Sequence, residues 1–299
     1  MNNSIQKILS GTLALAVGAT LASLPAVAQT TTRTGACDTA CLAAAMDDYL
    51  AKVIGHRTGE IKIAPNALIY FNTHAGALDQ NPLGRVKAIK GKQVFCDPVT
   101  GNVVARTGLE LEDGKTAYAS SRLKIVNGVI TQIETSFDDS RMVVASYMAT
   151  LNPVMTSPVP PDQKMSREEM KALVERYFQG LTDHKPLPAD YADGCDRYHS
   201  GQKITNNARN TVEGGRGLPA MTCYTANLGN RPWGPATDIH VPLIDTENGV
   251  AAGYTLLLYQ NGSAPMYVSE VFKLFGGKVQ MIDNIGLKMD GLQTMNFPE

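Results

Sequence analysis

The densest polar segment of the chain is residues 193–199, which read Asp-Gly-Cys-Asp-Arg-Tyr-His. The last of them, His199, titrates nearest to neutral pH and can therefore give or take a proton. Arg197 in the same segment could stabilise an anion formed during such a transfer. These residue types predict acid–base catalysis by His199, with Arg197 as the anion stabiliser. The alternative is that His199 is a surface histidine in a polar loop.

Glu270 is a second candidate proton carrier. Successive side chains of a strand point to opposite faces, so a predicted strand places Glu270 on its more apolar face. The apolar residues of that face are Met266, Val268, Phe272 and Leu274. A carboxylate buried there without a partner would have a raised pKa and could carry a proton. The alternative is a structural ion pair between Glu270 and an arginine such as Arg197.

Aromatic and acidic side chains near these groups could surround a small molecule. The predicted substrate-binding residues are Tyr191, Asp193, Tyr198, Tyr224 and Trp233. Tyr224 and Trp233 belong to a long segment rich in glycine and asparagine, residues 203–237. Long loops of this kind are often functional, so we expect the segment to cap a pocket. It could equally pack two domains together.

Motifs of other reaction classes are absent from the sequence. There is no Gly-x-Ser-x-Gly elbow, no zinc-binding helix and no dinucleotide fingerprint. We therefore expect no cofactor and no metal. Lys plus Arg number 27 against 28 for Asp plus Glu, without a basic run, which argues against a nucleic-acid partner. The expected partner is a partly apolar small molecule, and the sequence leaves an oligomer open.

The first residues predict export. Residues 1–28 combine a basic start, an apolar middle and the small-residue end Ala26-Val27-Ala28, as in a secretory signal peptide. The alternative, a membrane anchor, is disfavoured by the marginal length of the apolar stretch and by the glycine and serine in it. The predicted location is periplasmic or secreted, with no membrane attachment after cleavage.

The cysteines agree with an oxidising compartment, where disulfides form. Cys37 and Cys41 are spaced closely enough to bridge if the first helical turn unwinds, and Cys195 and Cys223 flank a polar loop that they could close. Cys96 lies in an apolar strand, as a small hydrophobic residue would. A metal site is the rival interpretation, but the spacing of the cysteines and histidines does not favour it.

These groups must be positioned by a fold that the chain contains twice. Tyr49-Leu50 precedes His56 at the spacing at which Tyr177-Phe178 precedes His184. The stretch from Tyr118 to Glu134 then recurs, at one constant spacing, as the stretch from Tyr267 to Asp283. Two-residue turns recur with it, Asn127-Gly128 in one copy and Gly276-Gly277 in the other. The sequence therefore predicts an internal duplication.

Each copy reads as helix, short irregular segment, strand and then three long antiparallel strands. Helices followed by meandering strands predict an α+β fold with one sheet face covered by helices. The predicted organisation is a first domain at residues 37–150, a proline-rich linker at residues 151–164 and a second domain at residues 165–299.

Helices leading into a meander that ends in Gly277-Lys-Val-Gln-Met-Ile282 resemble the nuclear transport factor 2-like (SnoaL-like) superfamily. Further stretches resemble an uncharacterised secreted family of fungi and bacteria. They are Cys37-Asp-Thr-Ala-Cys-Leu42, Ala64-Pro-Asn66, Cys195-Asp-Arg197, Pro242-Leu-Ile-Asp245 and Val271-Phe-Lys-Leu274. The superfamily resemblance implies two tandem cone-shaped domains, each with helices packed on a curved antiparallel sheet. His199 departs from the secreted family, which more often has Glu-Asn there.

A cone of this type serves dehydration, isomerisation, cyclisation, hydrolysis or binding alone in the superfamily. The hypothesis is therefore an exported small-molecule pocket protein, with a cofactor-independent lyase, isomerase or hydratase activity in the second domain. The first domain has Ser121 where the second has Glu270, and it would be mainly structural. The alternative is a non-catalytic exported ligand-binding or assembly protein.

Overall fold

The computed structural model describes residues 37–207, 221–228, 233–260 and 262–289. The predicted signal peptide, residues 1–28, lies outside the described residues. So does most of the glycine-rich segment, residues 208–220, together with the side chain of Trp233. Along the part of the chain that is described, no helix has the length and apolarity that a membrane span requires.

The first half of the described chain forms one sheet with two helices. Its elements are α1 (Thr39–Ile54), β1 (Ile63–Phe71), β2 (His74–Ala75), β3 (Val86–Asp97), β4 (Asn102–Leu111), β5 (Thr116–Val126), β6 (Val129–Asp138) and α2 (Ala145–Thr150). The six strands lie in the order β2-β1-β6-β5-β4-β3.

The second half repeats this arrangement. Its elements are α3 (Arg167–Asp183), β7 (Tyr191–His199), β8 (Gln202–Lys203), β9 (Trp233–Asp245), β10 (Val250–Tyr259), β11 (Met266–Phe275) and β12 (Lys278–Lys288). The six strands lie in the order β8-β7-β12-β11-β10-β9, which is the order of the first sheet. The predicted α+β fold with two helix-covered sheets is confirmed.

One pair of strands in each sheet differs from the predicted antiparallel pattern. β1 pairs with β6, and β7 with β12, in parallel. Consecutive strands of a meander run in alternating directions. β1 and β7 precede the meanders and join them through other segments, so each can lie beside the last strand in the same direction. Alternating hydrophobicity does not distinguish the two directions, so a mixed sheet cannot be predicted from it.

Each long helix covers one face of its own sheet. Ser166 is the N-cap of helix α3. Its hydroxyl accepts from the backbone N–H of Glu169, and the Glu169 carboxylate accepts from the backbone N–H of Ser166, as the capping box predicts. The buried side of α3 carries Leu173, Val174, Tyr177, Phe178 and Leu181, and that of α1 carries Leu42, Met46, Tyr49, Leu50 and Val53. We call the layer between a helix and its sheet the hollow of that half. Both hollows have apolar cores.

The faces of the two sheets that point away from the helices pack against each other, and we call this contact the seam. Its apolar part brings Phe95 and Val104 of the first half against Leu243 and Tyr254 of the second. The segment between the halves joins the same core, because Met155 is buried there.

The carboxylate of Asp283 is the polar centre of the seam. Arg106 donates to it across the seam at 3.2 Å, and both residues are 1% exposed. The hydroxyl groups of Tyr118 and Tyr147 also donate to it, the second at 2.8 Å. Burial raises the pKa of both tyrosines, so both stay protonated as donors. Asp283 therefore joins β12 to β4, β5 and α2 of the other half.

Lys273 ties the linker to the second sheet. Its ammonium donates to the carbonyl oxygens of Ser157 in the linker and of Asn248, the latter at 2.6 Å. The proline-rich segment is thus held by a specific contact, in addition to the stiffness of its prolines.

The seam predicts a distinct response to removal of one charge. Asp283→Leu leaves Arg106 buried without its counter-ion, and we expect a loss of about 3–5 kcal/mol in the free energy of unfolding, measured with urea. The double variant Arg106→Met/Asp283→Leu should recover most of that loss, because no charge is then left unpaired.

The matched control is Asp113→Leu, which breaks the exposed ion pair with Lys115 and should change stability little. Equal losses for Asp283→Leu and Asp113→Leu would contradict the central role of Asp283 in the seam.

Candidate functional site

A buried charged cluster occupies the hollow of the second half. The carboxylate of Glu270 is 0% exposed and its Oε1 accepts from the hydroxyl of Tyr177 at 3.0 Å and from Nδ2 of Asn284 at 2.9 Å. Arg197 Nη2 lies 3.5 Å from the same oxygen, and Arg197 is 5% exposed. We define the charged cluster as Arg197, Glu270, Tyr177 and Asn284. Glu270 is therefore ion-paired, as the structural alternative in the sequence analysis anticipated.

Burial sets the protonation of the tyrosine in the cluster. It raises the pKa of Tyr177 well above its usual range, while the nearby Arg197 acts in the opposite direction. The Tyr177 hydroxyl therefore stays protonated and donates to Glu270. The Tyr177 hydroxyl, the Asn284 amide and the Arg197 guanidinium are thus all directed at the same oxygen of Glu270.

Strand register brings His199 into the same layer. Glu270 on β11 is directly opposite Asn284 on β12, which in turn is opposite His199 on β7. Side chains in register on neighbouring strands project from the same face of a sheet. Because neighbouring strands lie about 4.8 Å apart, His199 is about 10 Å from Glu270 between Cα atoms. That separation is the width of a small molecule.

A glycine makes room beside the imidazole. A Cβ atom added to Gly286 would lie 2.8 Å from Cε1 of His199 and 3.4 Å from Oδ1 of Asn284. The first distance is shorter than a van der Waals contact, so any larger residue at this position would displace the His199 ring. The absence of a side chain at Gly286 therefore lets the His199 ring pack closely against β12.

Within the described residues, one group of the Asn284 amide, Nδ2, is hydrogen-bonded, and the other, Oδ1, is not. Nδ2 of Asn284 donates to the carboxylate of Glu270, and an ionised carboxylate can only accept hydrogen bonds. The amide is therefore oriented with Nδ2 toward the carboxylate and Oδ1 away from it. Oδ1 is buried and has no hydrogen-bond partner among the residues that the structure describes. Leaving a buried acceptor unsatisfied costs about 1–3 kcal/mol. Oδ1 is therefore placed to receive a donor from a ligand.

The hollow of the first half has the same geometry with neutral groups. Tyr49 takes the place of Tyr177, and its hydroxyl accepts from Asn81 at 2.6 Å. Ser121 and Thr135 replace Glu270 and Asn284, and their hydroxyls lie 3.3 Å apart. Both halves thus have a tyrosine over a polar pair, but only the second half has charges there.

The entrance to the hollow also differs between the halves. Phe71 on β1 pairs with Thr135 on β6, just as His199 on β7 pairs with Asn284 on β12. Phe71 is therefore the counterpart of His199. Phe137 on β6 pairs with Ala119 on β5, just as Gly286 on β12 pairs with Val268 on β11. Phe137 is therefore the counterpart of Gly286. Two phenylalanine rings in the first half are thus replaced by an imidazole and a glycine in the second. The second hollow is therefore the one with an imidazole beside the buried polar groups.

Residues 163–286 match a domain of unknown function, DUF8021. The matched stretch contains the whole charged cluster, His199 and Gly286. No curated protein matches the chain in sequence.

Three solved structures illustrate what the chain is similar to. An NTF-2 like protein of unknown function from Burkholderia xenovorans has 16% identity, covers 43% of this chain and 91% of its own, and has a TM-score of 0.30. A putative ketosteroid isomerase from Kribbella flavida has 15% identity, 42% and 83% coverage and a TM-score of 0.29. An LEH-like epoxide hydrolase of M. tuberculosis has 14% identity, 42% and 86% coverage and a TM-score of 0.30.

The two helix-covered sheets agree with the architecture expected from the resemblance to nuclear transport factor 2-like proteins. No activity is carried over from proteins this distant.

The DUF8021 segment brings together only some of the predicted site residues. Glu270, Arg197 and His199 share the hollow, as described above. Tyr191 is buried at the start of β7, and its ring centroid lies 6.4 Å from that of Tyr224. These two tyrosines border the same apolar core.

Two other predicted binding residues lie elsewhere. Tyr198 neighbours Arg197 in a strand and therefore points to the opposite face, where its ring stacks on Tyr147 at 5.1 Å. Tyr198 is thus a seam residue. Asp193 is exposed. Both were predicted at the site from closeness along the chain alone, without the alternation that places successive side chains of a strand on opposite faces.

Both predicted disulfides are present. Cys195 is bonded to Cys223, which fastens the described end of the long segment to β7 and places Tyr224 over the hollow. Cys37 is bonded to Cys41, and because α1 begins at Thr39, Cys37 lies just before the helix and the helix does not have to unwind. Cys96 is buried and free.

The described residues include no group of three His, Cys, Asp or Glu side chains placed to hold a metal ion. The polar groups that the structure brings together in the second hollow are Arg197, Glu270, Tyr177, Asn284 and His199. The site can orient a polar ligand through Asn284 and exchange a proton with it through His199.

Sequence reasoning missed Tyr177, Asn284 and Gly286 as site residues. The signal for two of them was available in the duplication. Thr135 aligns with Asn284, and Phe137 with Gly286, at the same constant spacing that aligns Ser121 with Glu270.

A matched pair of tyrosine variants tests the difference between the hollows. Tyr177→Phe removes a hydrogen bond to a buried carboxylate and should lower the free energy of unfolding by about 1.5–3 kcal/mol. Tyr49→Phe removes a bond between neutral groups and should cost about 0.5–1.5 kcal/mol. Urea unfolding of both variants measures the difference. A larger loss for Tyr49→Phe would contradict the assignment of the charged cluster.

Proposed function

We propose that the DUF8021 segment binds a small molecule in the hollow of the second half, above Gly286. The observation that carries the proposal is the buried Oδ1 of Asn284, which has no hydrogen-bond partner among the described residues and lies close to Gly286 and His199. A buried acceptor of this kind matches a hydroxyl or N–H group of a ligand.

The surroundings define the class of ligand. The sulfur of Met266 lies beside Gly286, at 3.0 Å from where a Cβ would be, and the phenyl ring of Phe272 packs between Tyr177 and Phe178 deeper in the core. The ligand is therefore partly apolar, with one donor for Asn284 and a polar group near His199.

Acid–base chemistry on this ligand would be the work of His199. It is half-buried and lies in the same row as Asn284, so a ligand that donates to Asn284 is held against the imidazole. A cofactor-independent elimination, hydration or isomerisation needs one group that takes a proton and returns it. We therefore assign the proton transfer to His199.

Glu270 and Arg197 have a positioning role in this proposal. The carboxylate already receives Tyr177 and Asn284 and is paired with Arg197, which makes it a poor base but a firm support for the Asn284 amide. Glu270 thus acts through Asn284, which touches the ligand. This assignment departs from the prediction that Glu270 itself carries the proton.

Export is included in the proposal. The signal-peptide pattern of residues 1–28 supports it. The two disulfides fit an oxidising compartment as well. The ligand would then be a compound met in the periplasm or outside the cell.

Non-catalytic binding is the second candidate function. It is favoured by the ion pair of Glu270 and Arg197, since a group held in that way contributes to recognition without entering a reaction. The two candidates share the ligand site and differ only in what His199 does.

Retention of ligands by variant proteins tests the site. The mature protein is incubated with a pool of exported metabolites, and the compounds that stay bound after desalting are identified by mass spectrometry. Gly286→Ala should lose at least about tenfold in retention, because the added methyl pushes the His199 ring into the ligand space. Gly59→Ala is the matched control, since a Cβ there meets nothing within 4 Å. Equal retention by Gly286→Ala and the parent protein would contradict the site.

Deuterium incorporation separates the two functions. The retained compound is incubated in D2O with a catalytic amount of protein, and its mass is followed. Catalysis predicts deuterium at carbon with the parent protein and a loss of at least about a hundredfold in rate with His199→Gln, the usual size of a general-base effect. Binding without incorporation in the parent protein would favour the non-catalytic candidate.

A further inference from the structure

A second cavity lies at the junction of the halves, away from the hollow. Its volume is about 280 Å³, which corresponds to about nine water molecules at ~30 Å³ each. Side chains of β5 and β6 line one side, and α3 with β9 lines the other. Four of the lining residues are cationic: Arg122, Lys124, Arg167 and Lys171.

The two arginines of this cavity are already paired. Arg122 forms two hydrogen bonds of 2.7 Å with the carboxylate of Glu134. Arg167 forms two with Asp97, at 2.8 and 2.6 Å. Their forked donors are thus directed at protein carboxylates, and these pairs add no net charge to the cavity.

Lys124 has a charge without a partner. Throughout residues 37–207 and the other described ranges, its ammonium makes no ion pair and no hydrogen bond. Its counterpart in the second half, Lys273, donates to two backbone carbonyl oxygens, of Ser157 and Asn248. The same strand position is therefore satisfied by protein acceptors in one half and faces the cavity in the other.

The neutral side chains of the cavity also have donors to spare. Asn102 Oδ1 and Gln132 Oε1 both accept from Arg122, at 2.6 and 2.7 Å. The amide NH2 group of Gln132 is then turned away from Arg122. Thr100 Oγ1 accepts from Asn102 Nδ2 at 2.9 Å, so its own hydroxyl proton is directed elsewhere. The acceptors are used inside the protein, and donors remain for a ligand.

We propose that this cavity binds a phosphate group, with Lys124 as its counter-charge and Gln132 and Thr100 as hydrogen-bond donors. A carboxylate is recognised best by a forked arginine, and both forks are taken, whereas a lysine is a point charge that suits phosphate. The cavity is larger than one phosphate ion, so a phosphate ester fits it as well as inorganic phosphate does.

The electrostatics of Lys124 support the assignment. Burial and the neighbouring Arg122 lower the pKa of Lys124 and outweigh the opposing effect of Asp97, which means that the charged ammonium is destabilised where it lies. A phosphate in the cavity would relieve both effects. Lys171 on the exposed rim adds a second attraction at longer range.

Calorimetric titration of the mature protein with inorganic phosphate at constant ionic strength tests the proposal. We expect saturable binding, weakened at least about tenfold by Lys124→Gln through loss of the only unpaired charge in contact with the ligand. Lys171→Gln, an exposed substitution on α3 that leaves the core intact, should weaken binding by about twofold to fivefold. The matched control Lys185→Gln removes an exposed charge beyond the far end of α3 and should leave binding unchanged.

Parallel titrations distinguish the sources of the group. Tighter binding of glycerol 3-phosphate than of inorganic phosphate assigns the cavity to a phosphate ester, and the reverse assigns it to the free ion. No saturable heat with either phosphate overturns the proposal. So does acetate that binds as tightly as phosphate, or an equal effect of Lys185→Gln and Lys124→Gln.

Discussion

The packing of the two sheets across the seam is the constraint on which the rest of the structure depends. Asp283 is buried in it, and such a carboxylate is tolerated only because Arg106, Tyr118 and Tyr147 all donate to it. These contacts fix the position of β12. The next residue along the strand, Asn284, points to the opposite face and enters the hollow. The interaction that joins the halves therefore also sets the position of the candidate site.

The two halves have matching hollows that differ in charge. In the first, Tyr49 contacts neutral partners, and Phe71 and Phe137 stand at the entrance. In the second, Glu270 and Arg197 are both buried. A buried ion pair is often no more stabilising than apolar residues of similar size. The neutral version in the first half shows that this fold does not require the charges, which is why a functional origin of the charged cluster is preferred.

Much of the fold follows from periodicity, because a helix face and a strand face are local properties. The apolar spacing in α1 and α3, the capping box at Ser166 and the repeat were all readable in this way. The position of Glu270 was readable too, since strand alternation and the Ser121 comparison both use local order. The domain boundaries at residues 150 and 165 stay a prediction.

What the sequence did not reveal depends on partners far apart in the chain. The parallel pairing of β7 with β12 brings His199 opposite Asn284, and no local pattern records it. Tyr198, which was predicted at the site, lies instead in the seam, where its ring stacks on that of Tyr147.

Lys124 and Lys273 occupy matching strand positions and, like the two hollows, differ in what surrounds them. The linker places the carbonyl group of Ser157 beside Lys273, which donates to it. The first half has no such segment over Lys124, and the space there is bordered by α3 and β9 of the other half instead. An asymmetric connection between two similar halves thus leaves one cation without an internal acceptor. Each half therefore supplies what the other lacks, and the two candidate sites exist because the copies are joined in one chain.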